Sequence, residues 1–159
     1  MAREETKRPT LGIDYGECRV GVAFSLGYVP RALAVLPHGD MVSLVKRIVA
    51  IAEREGAEQI VVGWPLNADG TEGEQARKSR TFAEALAAAT SLPVYLWDER
   101  FTSQEALHQM IAAGTRRKAR RHRLDAVAAA LILQDFFEQA GVSARRVSSP
   151  GTKRKGQEE

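Results

Sequence analysis

Apolar positions along this chain follow two periods, and the change from one to the other marks out its elements. Thr10 to Tyr15 and Arg19 to Ser25 read as strands. In the second, Val20, Val22 and Phe24 alternate with small residues, and Gly16-Glu17-Cys18 supplies a hairpin connection. Tyr28 to Leu36, with Val29, Leu33 and Val35 apolar, predicts a third strand with Pro30 near its entrance and Pro37 at its exit. The period then lengthens. After Asp40, a capping residue, Leu44, Val45, Ile48, Ile51 and Ala52 recur at three- and four-residue spacing until Gly56, the pattern of an amphipathic helix. Gln59 to Val62 carries a β-branched run, expected of a buried parallel strand reached by a helical crossover.

Gly63 to Gly73 is a loop by its Gly, Pro and Asn content. A helix is predicted from Glu74 to Ala89 with Phe82 and Leu86 on one face, then a strand from Val94 to Trp97. Thr102 and Glu105 can form a capping box for a helix that ends at Gly114. A basic loop leads into a last helix, Leu124 to Phe137, apolar on more than one face and therefore expected to be buried. The order βββαβαβαα predicts an α/β domain over residues 9–142, with a mixed five-stranded sheet flanked by helices in the ribonuclease H-like arrangement. Residues 143–159 offer little to bury and read as a disordered basic tail.

Composition narrows this picture. At 159 residues and 44% hydrophobic, the chain suits one domain with its own core. One Cys cannot form an internal disulfide, and the charged start with no long apolar run predicts a cytoplasmic protein. The net charge of +3 matters less than its distribution. Arg116, Arg117, Lys118, Arg120, Arg121 and Arg123 crowd one stretch, and Arg145, Arg146, Lys153, Arg154 and Lys155 follow in the tail, a pattern that favours a polyanionic partner.

Three acidic segments are the candidate chemistry: Asp14 at the end of the first strand, Asp98-Glu99 at the end of the last, and Asp125 on the first turn of the final helix. Carboxylates brought together from such places can hold Mg²⁺ or Mn²⁺ against a phosphodiester. Gly12, Gly16 and Gly21 around Asp14 permit close backbone approach. Adjacent strand residues point to opposite faces, so only one of Asp98 and Glu99 reaches such a metal readily; spacing leaves that choice open. Each acid also has an ordinary role open to it: a turn for Asp14, a bridge to Arg100 for the other member of the pair, a dipole-favoured helix start for Asp125.

Taken together, Gly12-Ile13-Asp14-Tyr15-Gly16, Arg19-Val20-Gly21-Val22-Ala23, Ile60 to Thr71, Asp98 to Ser103 and Asp125 to Leu133 resemble the bacterial YqgF family. Its members are described as Holliday junction resolvases and as nucleases maturing the end of pre-16S ribosomal RNA. The resemblance runs from Thr10 to Phe137 in order. It implies a ribonuclease H-like fold, a divalent metal, a cytoplasmic location and a nucleic-acid substrate. It also implies Asp14, Glu99 and Asp125 as catalytic metal ligands, with Asp98 in reserve. The family loop usually reads Gly-Leu-Pro-Leu-Asn-Met-Asp-Gly, and this chain has Trp64 and Ala68 in its variable places. Junction resolvases of the related fold generally use four carboxylates, and Asp135 stands about 15 Å along the helix from Asp125, too far to be the fourth.

Supporting substrate contacts are expected from Arg19 and Arg100, whose guanidinium forks suit phosphate, from Asn67 in the loop, and from Arg116, Arg117, Lys118, Arg120 and Arg121. Local acids could instead occupy the first two, Asn67 could simply fix a turn, and Trp64 could stack on a base or pack. RNA is the expected substrate, with branched DNA the near alternative; the chain would act as a monomer or homodimer, the latter for symmetric junction cutting. A non-catalytic nucleic-acid-binding protein would keep the basic stretch without needing the acids. An ATP-binding protein of the actin and sugar-kinase kind would need a second such domain, for which the chain is too short.

Overall fold

The computed structural model describes residues 7–99, 117–139 and 144–148, with the side chains of residues 117–125 outside that description. Its strands and helices are β1 Thr10–Tyr15, β2 Arg19–Ser25, β3 Arg31–Pro37, α1 Met41–Glu55, β4 Gln59–Trp64, α2 Glu74–Ala89, β5 Val94–Asp98, α3 Arg117–Glu138 and β6 Arg145–Val147. The predicted helix between Thr102 and Gly114 lies outside the described residues.

The elements form where local chemistry directs them. Asp40 caps α1 by accepting from the Ser43 amide, and Gly56 closes the helix at φ 73°, where a side chain would be strained. β1 and β2 pair antiparallel with Asp14 opposite Gly21, and β1 pairs in parallel with β4, as β4 does with β5. The sheet order is β3-β2-β1-β4-β5-β6. After β1 the chain turns outward through β2 and β3, then crosses back to β4 on the other side. The carboxyl ends of β1 and β4 therefore flank a topological switch point, where open α/β sheets bind ligands.

Each face of the sheet is covered. On one, α1 and α2 pack Leu44, Ile48, Phe82 and Leu86 over Leu11, Ile13, Val22, Ile60, Val62 and Leu96. On the other, α3 packs Ala129, Ile132, Leu133 and Phe136 over Ala23, Val61 and Trp97. The second contact is close because β1 presents Gly12 there: a Cβ on Gly12 would lie 2.5 Å from Leu133 Cγ and 3.0 Å from the Ala129 carbonyl oxygen. Gly12→Ala should therefore destabilise the fold by about 1–3 kcal/mol, read as a shifted denaturant midpoint. An unchanged midpoint would mean that α3 sits less closely on β1.

Three expectations are revised. The third strand begins at Arg31, since Tyr28 and Val29 lie in an exposed bend where the Ser25 hydroxyl accepts from the Gly27 and Tyr28 amides and Gly27 has φ 118°. The final helix begins at Arg117, so most of the predicted basic loop is helical and Asp125 lies more than two turns inside α3. Arg, Lys and Ala are strong helix formers, while like charges at i,i+4 cost only about 0.2–0.5 kcal/mol each. Among the described residues the sheet has six strands: Arg145–Val147, within the expected disordered tail, pairs antiparallel with β5. Val147 is buried against the α1/α2 face, and this supplies the apolar anchor.

Candidate active site

β1 leaves the sheet at a hairpin in which the Gly16 amide donates to the Arg19 carbonyl at 3.0 Å. One strand residue earlier stands Asp14, half-buried, on the face that Gly12 shares with α3. Opposite it stands buried Gly21, which brings no side chain to that face, and Arg19 belongs to the same alternation as Gly21 and Ala23. From helix α2, the Gln75 amide donates to the Tyr15 carbonyl at 2.7 Å and pins the backbone just after Asp14.

β5 distinguishes Asp98 from Glu99. Leu96 lies in the α1/α2 core and Trp97 in the α3 core, so alternation assigns buried Asp98 to the first face. Glu99, just past the strand, turns its carboxyl over Gly63 beside Ile132 of α3. A Cβ at Gly63 would collide with both, so this glycine is the cradle for the carboxyl. Burial pushes the Glu99 carboxyl up to about 8, and the charges of Asp14 and Asp98 push in the same direction.

Asp14 and Glu99 are thus brought to one end and one face of the sheet. Asp125 occupies α3 one turn before Ala129, whose carbonyl oxygen lies over Gly12; the Asp125 side chain lies outside the described residues. Among the described residues no group of three or more His, Cys, Asp or Glu could by itself hold a metal ion. A complete ligand set requires a further donor beside Asp14 and Glu99. Arg100 and Arg116 lie outside the described residues, as do the side chains of Arg117, Lys118, Arg120 and Arg121.

Asn67 sits in an exposed, self-bonded turn. Its backbone N–H donates to the Thr71 carbonyl, its carbonyl accepts from the Gly70 N–H, its side chain donates to the Thr71 hydroxyl, and Asp69 accepts from Thr71 twice. Trp64 is engaged as well, its indole donating to Glu72 at 3.0 Å with the Arg145 guanidinium 5.6 Å above its ring. Asp135 is held apart by the Trp97 indole, which donates to it at 3.0 Å, and by Gln139. The sequence reading missed the cradle at Gly63 and the Gln75 tether. A glycine at a strand end was the visible signal for the first; the second joins residues 60 positions apart and has no local signature.

A Holliday junction resolvase family profile, RuvX, matches residues 8–139. A protein of Pelotomaculum thermopropionicum named "Putative pre-16S rRNA nuclease" is 40% identical over 146 residues, covering 89% of this chain and 95% of that protein. A Geobacillus kaustophilus protein of the same name is 43% identical over 135 residues, covering 81% and 96%. Among solved structures, Thermus thermophilus RuvC in complex with a Holliday junction substrate superposes with a TM-score of 0.55 at 15% identity, covering 88% of this chain and 99% of that one. At that identity the likeness speaks to the fold alone, which is α/β and ribonuclease H-like.

Proposed function

Since the chain belongs to the RuvX family and is a nuclease of that family, we propose that it hydrolyses phosphodiester bonds in RNA, with the maturation of pre-16S ribosomal RNA as its biological task. The observation that carries this reading is the meeting of Asp14 and Glu99 at the switch point. Two acids crowded there, one of them buried, destabilise the protein unless a cation compensates them. Oxygen donors of this kind suit a hard divalent ion, Mg²⁺ or Mn²⁺. Asp14, Glu99 and Asp125 are the residues that would hold it. When bound, such an ion supplies water activation and neutralises charge on the leaving oxygen.

The chain's own residues prepare the site for this work. Gly63 and Gly12 let carboxylate and helix approach the sheet without side chains between them. Ile132 shields one side of the Glu99 carboxyl from water, which keeps the local dielectric low and strengthens charge interactions there. The Gln75 bond holds the β1 exit in place, and Arg19, on the same face as Asp14, is suited to steady a substrate phosphate.

RNA is favoured over branched DNA because relatives at 40% and 43% identity carry the rRNA name. The test is cleavage of a pre-16S rRNA fragment, an unstructured RNA and a four-way DNA junction by the purified chain, in Mn²⁺ or Mg²⁺ and in EDTA. The expected result is cutting in metal alone, with the rRNA fragment preferred by about tenfold or more, a difference of about 1.4 kcal/mol. Preference for the junction would replace RNA processing with resolution. Binding without cutting would leave a non-catalytic role.

A further inference from the structure

The carboxylate end of the sheet leaves one charged feature unexplained, the edge strand β6. Its register sets Arg145 opposite Leu96 and Arg146 opposite Tyr95. Neighbouring strand residues face opposite sides, so the two guanidinium groups straddle the sheet edge. Arg145 lies 5.6 Å above the Trp64 ring and Arg146 5.7 Å above the Tyr95 ring. Both residues are exposed, and neither forms an ion pair with a described residue.

Of the acids close by, Glu72 and Glu84 are hydrogen-bonded to Arg80, and the charge of Arg145 adds to that of Arg80 in holding the Glu72 carboxyl below the usual range. Arg80, which lines the same cleft of about 270 Å³, takes both Glu72 oxygens at 2.8 and 2.9 Å and Glu84 at 3.0 Å, and Glu72 also accepts from Trp64. A ring within cation–π reach attracts a guanidinium without using its N–H groups, which stay available to grip a phosphate bidentately. Position completes the case. Leu96, the partner of Arg145, precedes Glu99 by three residues, about 10 Å at strand rise. Trp64 directly follows Gly63, so Arg145 reaches the carboxylate end of the sheet from the α1/α2 face, while Arg146, over Tyr95 beside Phe136, lies on the α3 face that carries the Glu99 carboxyl.

We propose that β6 is a phosphate-binding strand, in which Arg145 and Arg146 hold the backbone of the nucleic acid on the side of β5 away from β1, flanking the scissile bond. This rests on the nuclease reading above. The contact carries no sequence preference, because it reaches phosphate and not base edges. The two ring contacts also hold β6 to its neighbours, so binding has to be separated from anchoring.

The experiment is the affinity of the full chain for a short single-stranded RNA across a salt series, in EDTA so that nothing is cut. Arg145→Gln/Arg146→Gln should weaken binding equally for RNAs of different sequence and lower the salt slope by about 1.4, about 0.7 for each lost phosphate contact. Arg145→Lys/Arg146→Lys should keep most of the slope, since it keeps the charge. A wild-type slope in the Gln pair would overturn the proposal. Should that pair fail to fold, the arginine Nε–H resonances of the wild type decide: shifts at Arg145 and Arg146 on adding RNA support the contact, and unmoved resonances reject it. Failure of the wild type itself to bind RNA would refute the nucleic-acid reading, whereas wild-type binding with an unaffected variant would refute only the role of β6.

Discussion

Asp14→Asn should reduce metal-dependent cleavage by about 10³-fold or more while leaving the fold intact, a loss of roughly 4 kcal/mol of transition-state stabilisation. Asn keeps the size and shape of Asp but removes its charge, and only the charge neutralises a divalent cation. The position is half-buried at the end of β1 opposite Gly21, and an amide of the same size fits the space that the carboxylate fills. Binding of RNA in EDTA should fall little or even rise slightly, because a negative charge has left the substrate's path. The measurement is single-turnover cleavage beside a binding isotherm and a melting curve. Near-wild-type cutting by a folded Asp14→Asn would remove Asp14 from the chemistry and with it the proposed site.

Glu99→Gln should have opposite effects on activity and stability. Cleavage should fall on the scale of Asp14→Asn, since the buried carboxyl over Gly63 is a proposed ligand. Stability of the metal-free protein should rise, and the sign follows from the shift. The Glu99 carboxyl goes from 4.5 to about 8 on folding, through burial first and then the charges of Asp14 and Asp98. For an acid raised in this way, the folded state binds the proton more tightly than the unfolded one. Its favourable contribution is complete below about pH 4.5 and is lost as pH rises through about 8. Wild type in EDTA should thus weaken between pH 5 and 8 by up to an order of 4 kcal/mol through this group, and the Gln variant should not. Denaturant unfolding at pH 5 and pH 8 checks it. A variant no more stable than wild type at pH 8 would show that the carboxyl is not crowded.

Legibility in the sequence depended on range. Glycine spacing and alternation placed Asp14 at a strand end, and the helix caps at Asp40 and Gly56 lie where the structure has them. The spans of β1, β2 and α2 agree with the periodicity because each is governed by contacts repeated along its own length. The start of α3 differs from the predicted one because the helix propensity of Arg, Lys and Ala outweighs the repulsion among the crowded charges. β6 was missed because three residues, two of them exposed arginines, carry no period; only Val147 and two aromatic rings from distant strands mark the place.

By itself the sequence determined the spans of β1, β2 and α2, the caps of α1, and which neighbours must share or oppose a face, because alternation and capping are local consequences of backbone geometry. It left Asp98 and Glu99 equivalent. Only the tertiary structure decided between their positions, by packing α3 on the face that carries Trp97, closing it onto Gly12, and leaving Gly63 bare for the Glu99 carboxyl. Which face a helix covers, and which strand ends meet, is set by burial across distant segments, and no window of the chain contains that information.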